Sequence, residues 1–261
     1  MVKHTAEKTL EADLNLTIGT QQVSFHVNVA AGPSSPATIL KFVQAFADKT
    51  VEIAVEIIEK EGKTISCQKG CGACCAQLVP VTEIEIRQIA KLIRNLPKAE
   101  KQQVLARFEQ ARTKLQIAGL WQQLINPKSA DLQDTTDFGL RYFEQGIDCP
   151  FLVEGACSIH ADRPIACREY LVTSDAKHCA NPRRGKIDGV SIPVRLSMVL
   201  GRLCEADNHH HADWVPLIVA PYWQALFPNL PSKKTGQQWV ELFLEKLTML
   251  SNGADPEAQD K

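Results

Sequence analysis

Four cysteines fall within nine positions of this chain, Cys67, Cys71, Cys74 and Cys75, in the glycine-rich stretch CQKGCGACC. A single buried cysteine behaves as a small apolar residue, but four so close together are not explained by packing. Gly70 and Gly72 free the backbone to wrap tightly, so thiolates spaced C-x3-C-x2-C-C can converge on one centre. A redox-active dithiol pair is the competing reading. A second block, Cys149, Cys157, Cys167 and Cys179, has wider spacings, as expected of a segment that crosses the first loop rather than folding as a separate small finger. These eight are the candidate metal ligands. The ninth, Cys204 in the helical stretch VLGRLCEA, reads as a small buried apolar residue.

Adjacent Cys74 and Cys75 constrain the geometry. Neighbouring side chains diverge in most backbone conformations, so either one of the pair serves a second centre or the ligands surround a larger body such as an iron-sulfur cluster. Eight thiolates suit two tetrahedral zinc sites, or one cluster with spare redox thiols. Either centre is anionic, and cations beside it would hold the thiolates deprotonated. Arg163 and Arg168 flank Cys167 and are the candidate cofactor-binding cations, with ordinary surface ion pairing as the alternative. His160 and His178 stand near Cys157 and Cys179 and could replace a thiolate, or be plain exposed loop histidines. His209, His210 and His211 precede a predicted helix and read as its polar flank.

The chain around these blocks reads as mainly α with an N-terminal β-hairpin, a helical domain enclosing a cysteine-rich site. Leu10, Ala12, Leu14, Leu16 and Ile18 alternate with polar residues, and the alternation resumes after Gly19 at Val23, Phe25, Val27 and Val29. Two strands are marginal alone, so the hairpin should pack on the helical body. Apolar residues recur at helical spacing from 37 to about 61, with Gly62 as the stop. Thr82 and Glu85 form a capping box ahead of Ile86, Ile89 and Ile93, and Pro97 ends that helix. Further helices are predicted at about 98–118, 131–145, 192–205, 213–226 and 235–250. The division expected is a hairpin extension over 1–32, a helical cysteine-cluster domain over 36–250 and a polar tail over 251–261.

Composition narrows the partners. Lysine plus arginine number 29 against 30 acidic residues, so no large net charge draws the chain to nucleic acid or an anionic membrane. No stretch approaches the ~18 consecutive apolar residues of a membrane span, and residues 1–16 have no apolar signal core. A chain of 261 residues buries enough apolar surface to fold without staples. A soluble cytoplasmic protein is the expectation, with cysteines kept reduced for metal or redox chemistry and room for a protein partner.

The C-x3-C-x2-C-C block followed by C-P-F-L, then C-x-I, then R-P-x-x-C-R resembles the YkgJ-type cysteine-cluster family over about residues 67–179. The resemblance implies zinc or iron-sulfur binding. One branch of that family includes a flagellin lysine N-methylase, which makes S-adenosylmethionine-dependent protein lysine methylation the alternative to a redox or structural role. The chain has no glycine-rich strand-to-helix motif to cradle a nucleotide cofactor, which counts against methylation. A radical S-adenosylmethionine enzyme ranks third, because the downstream chain lacks the repeated strand and helix units of a barrel.

Overall fold

The computed structural model describes residues 8–126, 135–182, 186–205, 214–228 and 233–251. The N-terminal alternation forms strands β1 (Thr9–Ile18) and β2 (Gln21–Ala30), paired antiparallel from Thr9 opposite Ala30 to Ile18 opposite Gln21. Gly19 takes φ +60° in the tight turn, which a residue with a Cβ adopts only with strain. Ile18, Phe25, Val27 and Val29 are buried, whereas Leu10 at the far end is exposed. The Phe25 ring lies 5.8 Å from Phe42 and 4.8 Å from Phe46, so the hairpin does pack on the helical body.

A short extended pair, β3 (Pro33–Ser34) with β8 (Lys234–Thr235), leads into a 3-10 turn at Pro36–Ile39 and then α1 (Leu40–Lys60). The predicted helix over 37–61 therefore starts with a tighter turn, with Pro36 at its first position where no N–H is needed. β4 (Pro80–Val81) precedes α2 (Glu83–Asn95), whose Thr82–Glu85 capping box forms as predicted. Next come α3 (Lys98–Ile117), α4 (Trp121–Leu124), α5 (Thr135–Phe143), the small hairpin β5 (Leu152–Val153) and β6 (Ala156–Cys157), and α6 (Ile165–Glu169). α7 (Leu196–Glu205) starts later than the predicted 192, after Pro193. The helix expected over 213–226 is not continuous. Residues 215 and 216 form β7 (Val215–Pro216) on β4, a 3-10 turn follows at Leu217–Val219, and only α8 (Trp223–Leu226) is helical. Pro216 and Pro221 lack the N–H groups a continuous helix would need. α9 (Gly236–Ser251) closes the described chain. Residues 209–211, the start of the predicted 131–145 helix and the tail beyond 251 lie outside the described residues.

A small apolar cluster forms around Ala54, Val190 and Ile192, with Ile65 and Leu171 against it, and two large apolar cores result. One gathers α3, α4 and α5 around Phe108, Phe138, Phe151 and Trp223; the other gathers the hairpin, α1, α7 and α9 around Phe46, Leu200, Trp239 and Phe243. α2 lies between them, with Ile84 in the second core and Ile86, Ile89 and Ile93 in the first. The second cysteine block crosses the same boundary, because Ile159 belongs to the first core and Ile165 to the second. The join of α9 to β2 is tight: a Cβ on Gly236 would sit 2.5 Å from the Ala30 carbonyl oxygen and 2.5 Å from Val29 Cβ. Neither neighbour is a flexible side-chain end, so Gly236→Ala is expected to cost about 1–3 kcal/mol of overpacking, read as a lower urea midpoint with the slope unchanged. No change in midpoint would mean that α9 can slide without loss.

Candidate metal centre

Residues 63–79, which join α1 to β4, have no helix or strand and are shaped by local turns: Cys71 N–H donates to Gln68 O, Cys75 N–H to Gly72 O, and Gln77 N–H to Cys74 O. Gly70 has φ +86°. Gly72 meets a different demand, since a Cβ there would lie 2.7 Å from Leu152 Cδ1 and 3.1 Å from the Gly155 carbonyl oxygen. The absent side chain lets the first cysteine loop lie directly on the β5–β6 hairpin that carries Cys157.

The two blocks are also stitched by hydrogen bonds. Cys149 N–H donates to Cys75 O at 2.8 Å, which fixes the start of the second block on the end of the first. Ser66 N–H donates to Val172 O at 2.9 Å, and its hydroxyl to Thr173 O at 3.1 Å. Gln77 Nε2 donates to Cys179 O at 3.2 Å. The expectation that the second block crosses the first loop matches this arrangement.

α6 positions Cys167 and is clamped from both sides. Arg168, 5% exposed, donates from Nη1 to both carboxylate oxygens of Asp48 on α1, at 2.7 and 2.6 Å, from Nε to Arg163 O and from Nη2 to Ala161 O. Glu85, already capping α2, accepts from Ile165 N–H at 2.8 Å. Burial pushes the Glu85 carboxyl upward against the hydrogen bonds from Ile165 and Thr82.

Every cysteine of the chain is a free thiol. Burial pushes Cys167 far above its ordinary range and Cys149 up to about 11, and it also raises Cys67, Cys157 and Cys179. Cys74 is raised most, first by a hydrogen bond to the Cys75 thiol and then by burial. Backbone N–H groups oppose the rise. The Val172 N–H pulls Cys67 back down, as the Phe151 N–H does Cys149 and the Ile159 N–H does Cys157, and the Tyr170 hydroxyl does the same for Cys179. Donors aimed at sulfur favour the thiolate, and thiolate is the form that binds metal.

Of the two predicted cations, Arg163 faces the thiols, lowering Cys67, Cys74 and Cys157 by its charge, and its buried Nε has no hydrogen-bond partner among the described residues. Arg168 has its donors on Asp48 and two carbonyls. Arg107 adds a cation near Cys149 while donating to Pro150 O at 2.6 Å. His160 is exposed and its imidazolium is disfavoured, chiefly by the Arg163 charge; His178 bonds the Lys186 carbonyl at 2.8 Å. Cys204 is buried in α7.

Cys74 and Cys75 both lie in the turn over 73–76, closed by Cys75 N–H on Gly72 O and Gln77 N–H on Cys74 O, and the Cys75 thiol is the first cause that raises Cys74. The sequence reading named both as ligands. It missed Tyr170, Gln77, Arg107 and Asp48. Tyr170 directly follows the R-P-x-x-C-R-E run and could have been found there; nothing local marks the others. Among the described residues no three of His, Cys, Asp and Glu stand close enough together to hold an ion as they are. Four of the thiols, Cys67, Cys71, Cys74 and Cys75, lie in the loop free of regular structure, while Cys157 ends β6 and Cys167 lies on α6. The donor set, soft thiols backed by N–H groups and cations, fits zinc or iron.

No curated protein and no solved structure matches this chain. A family model does match, over a little under half its length. Residues 66–184, which contain both cysteine blocks, are similar to the CxxCxxCC family, described as a "putative zinc- or iron-chelating domain".

Proposed function

We propose that the protein is a thiolate metalloprotein that holds zinc or an iron-sulfur cluster with Cys67, Cys71, Cys74, Cys75, Cys149, Cys157, Cys167 and Cys179, and that the centre ties the loop over 63–79 to the segment over 149–179. The observation that carries this reading is the seating of the first cysteine loop on the second block: Cys149 N–H donates to Cys75 O at 2.8 Å, Gln77 Nε2 donates to Cys179 O at 3.2 Å, and Gly72 lies directly against Leu152 and Gly155 of the β5–β6 hairpin. These segments run between the apolar cores, so a metal there would add cross-links between parts of the chain that are distant in sequence. Arg163 offers its free Nε–H to the anionic centre, a contact that would favour the more reduced state of an iron centre. A reducing cytoplasmic location agrees with nine free thiols. No helix among the described residues is long and apolar enough to cross a membrane.

Anaerobic purification followed by zinc, iron and acid-labile sulfide analysis, with an absorption spectrum, is the direct test. A preparation that takes up neither metal after reduction and reconstitution would overturn the proposal. Chelating the bound metal is expected to loosen the cysteine loops and leave the helical circular dichroism nearly intact, because the two cores pack without it. Loss of most helicity on chelation would show that the cores depend on the centre.

A second reading, a methyl-transferring enzyme of the flagellin methylase kind, has one observation in its favour. A cavity of about 540 Å³ opens beside the cysteine loop, lined by Gln77, Leu78, Leu140, Phe143, Pro182 and Trp214. Binding of S-adenosylmethionine, followed by calorimetry, separates this reading from the first.

A further inference from the structure

The N-terminal hairpin has one edge that no other element covers among the described residues. β1 and β2 form a two-stranded sheet, and the helical body meets it through β2: Phe25, Val27 and Val29 are buried, with Phe25 against Phe42 and Phe46 of α1 and Val29 against Gly236 of α9. On β1 only Ile18, beside the turn, is buried; Leu14 and Leu16 are half-buried, and Leu10 is 44% exposed. Alternate residues of an antiparallel strand exchange backbone hydrogen bonds with a given neighbour. Ala31 N–H donates to Lys8 O, and Lys8 continues the register in which Thr9 faces Ala30, so the even-numbered residues of β1 bond to β2. The N–H and C=O groups of Glu11, Asp13, Asn15 and Thr17 therefore point away from β2, and no hydrogen bond among the described residues takes them.

Proteins blunt a free edge with proline, lysine, a bulge or an inward-pointing charge. β1 has none of these from Thr9 to Ile18, and its register with β2 is unbroken. Its two charges, Glu11 and Asp13, lie on the outer face, where Asn28 donates to Glu11 at 2.9 Å and His26 meets Asp13 at 3.0 Å. They leave the backbone clear but restrict what pairs there, since like charges directly opposite are destabilising. Against a second β1 set antiparallel, the outward backbone groups meet only if odd-numbered residues oppose odd-numbered ones, which also keeps both apolar faces on one side. Centring such a pairing on Asp13 opposes Asp13 to itself, and centring it on Ala12 opposes Glu11 to Asp13 twice. Centring on Leu14 opposes Glu11 to Thr17, Asp13 to Asn15 and Ala12 to Leu16, and pairs every residue from Leu10 to Ile18. The two Asp13 side chains then meet only on the diagonal, at ~7–8 Å. Centring further toward either end shortens the ladder.

We propose that β1 is a dimerisation edge: two copies of the chain pair their β1 strands antiparallel about a two-fold axis at Leu14, joining the hairpins into one four-stranded sheet. The ladder gives partners to the backbone groups of Glu11, Asp13, Asn15 and Thr17 in both copies, and it covers Leu10, Ala12 and Leu14, which the helices leave open. A two-fold interface uses the same surface twice, so one self-complementary strand is sufficient. Because the helices pack against β2, the second copy approaches from the side they leave free. The hairpin lies outside residues 66–184, so the interface is separate from the cysteine segments and does not depend on metal binding.

The test is sedimentation velocity of the reduced full chain over a wide range of concentration, with amide hydrogen exchange of residues 9–18 alongside. A monomer–dimer equilibrium is expected, and exchange at Glu11, Asp13, Asn15 and Thr17 should slow as the dimer fills. Asn15→Pro removes an outward N–H without touching the ladder to β2, and it should abolish the dimer. Thr17→Glu sets a like charge against Glu11 in both copies and should weaken association several-fold. Adding Glu11→Lys to Thr17→Glu should restore it, and should do so more fully than adding Asp13→Lys, because Glu11 is the residue opposite. Circular dichroism checks that each variant has folded, and the exposed Thr17→Glu change decides the matter if the proline variant has not. A monomer at every concentration would overturn the proposal: slow exchange of those four amides would then show that the chain covers its own edge, and fast exchange that the edge is left for a different protein. A dimer unmoved by both Asn15→Pro and Thr17→Glu would overturn it equally, by placing the interface on another surface.

Discussion

Lowering the pH from about 8 to about 7 is expected to weaken metal binding at a four-thiol centre by roughly four orders of magnitude. Each ligating thiol must give up a proton, and a thiol that is protonated throughout the range contributes about tenfold per pH unit. Burial holds Cys157 and Cys167 above their ordinary range and Cys149 at about 11, so in the free protein these thiols stay protonated across neutral pH. An exposed thiol would already be partly ionised near the upper end and would give a shallower slope. Competition against a chromophoric chelator at several pH values measures the slope. A change of tenfold or less per unit would mean that only one thiol deprotonates on binding, and the four-thiol centre would be wrong.

The same shifts give the metal-free protein an alkaline weakness. A thiol raised in the folded chain stays protonated there after its unfolded counterpart has begun to ionise. Its contribution to stability is therefore complete below the unfolded value and is lost as pH rises toward the folded one. For Cys149 that window runs from its ordinary 9.0 to about 11. Urea midpoints of the metal-free chain should fall across it, and bound metal should suppress the fall because the thiolates are then already formed.

Asp48→Ala is expected to cost about 2–4 kcal/mol, a large share of the stability of a single domain. The Arg168 side chain is 6% exposed and Asp48 48%, so removing the carboxylate strands a buried guanidinium, whereas the carboxylate alone could turn to water. That asymmetry makes the aspartate variant costlier than the pair's modest net worth, and the partial exposure of Asp48 keeps the figure below that of a fully buried pair. Arg168→Lys should also destabilise, since an ammonium cannot serve Asp48, Arg163 O and Ala161 O in the same fixed fork. Adding Arg168→Met to Asp48→Ala should recover part of the loss by removing the stranded charge. Urea unfolding of the three variants is the measurement, and an Asp48→Ala chain within about 0.5 kcal/mol of the unaltered protein would show that the clamp on α6 contributes little.

The elements written in local patterns were legible before the fold was known. Period-two alternation located both hairpin strands, helical spacing and Gly62 bounded α1, and the Thr82–Glu85 pair marked the start of α2. The cysteine spacings likewise marked residues 67–179 as a chelating segment, within the 66–184 span of the family match. Helical spacing misled where proline removes the N–H groups that the pattern ignores, and so the helix read over 213–226 is a strand, a turn and a short helix.

What the sequence could not supply are the relations between residues far apart in the chain. Asp48 meets Arg168 across 120 positions and Ser66 meets Thr173 across 107, and neither partner has any local signature. Glu85 reads locally as a helix cap, and only packing makes it also the acceptor for Ile165. The sequence by itself singled out the cysteines proposed as ligands, because thiol chemistry and glycine-permitted turns are local properties. The tertiary structure decided how the loop over 63–79 seats on the segment over 149–179 and which arginine is held in a clamp, because those depend on how the apolar cores set the segments between them.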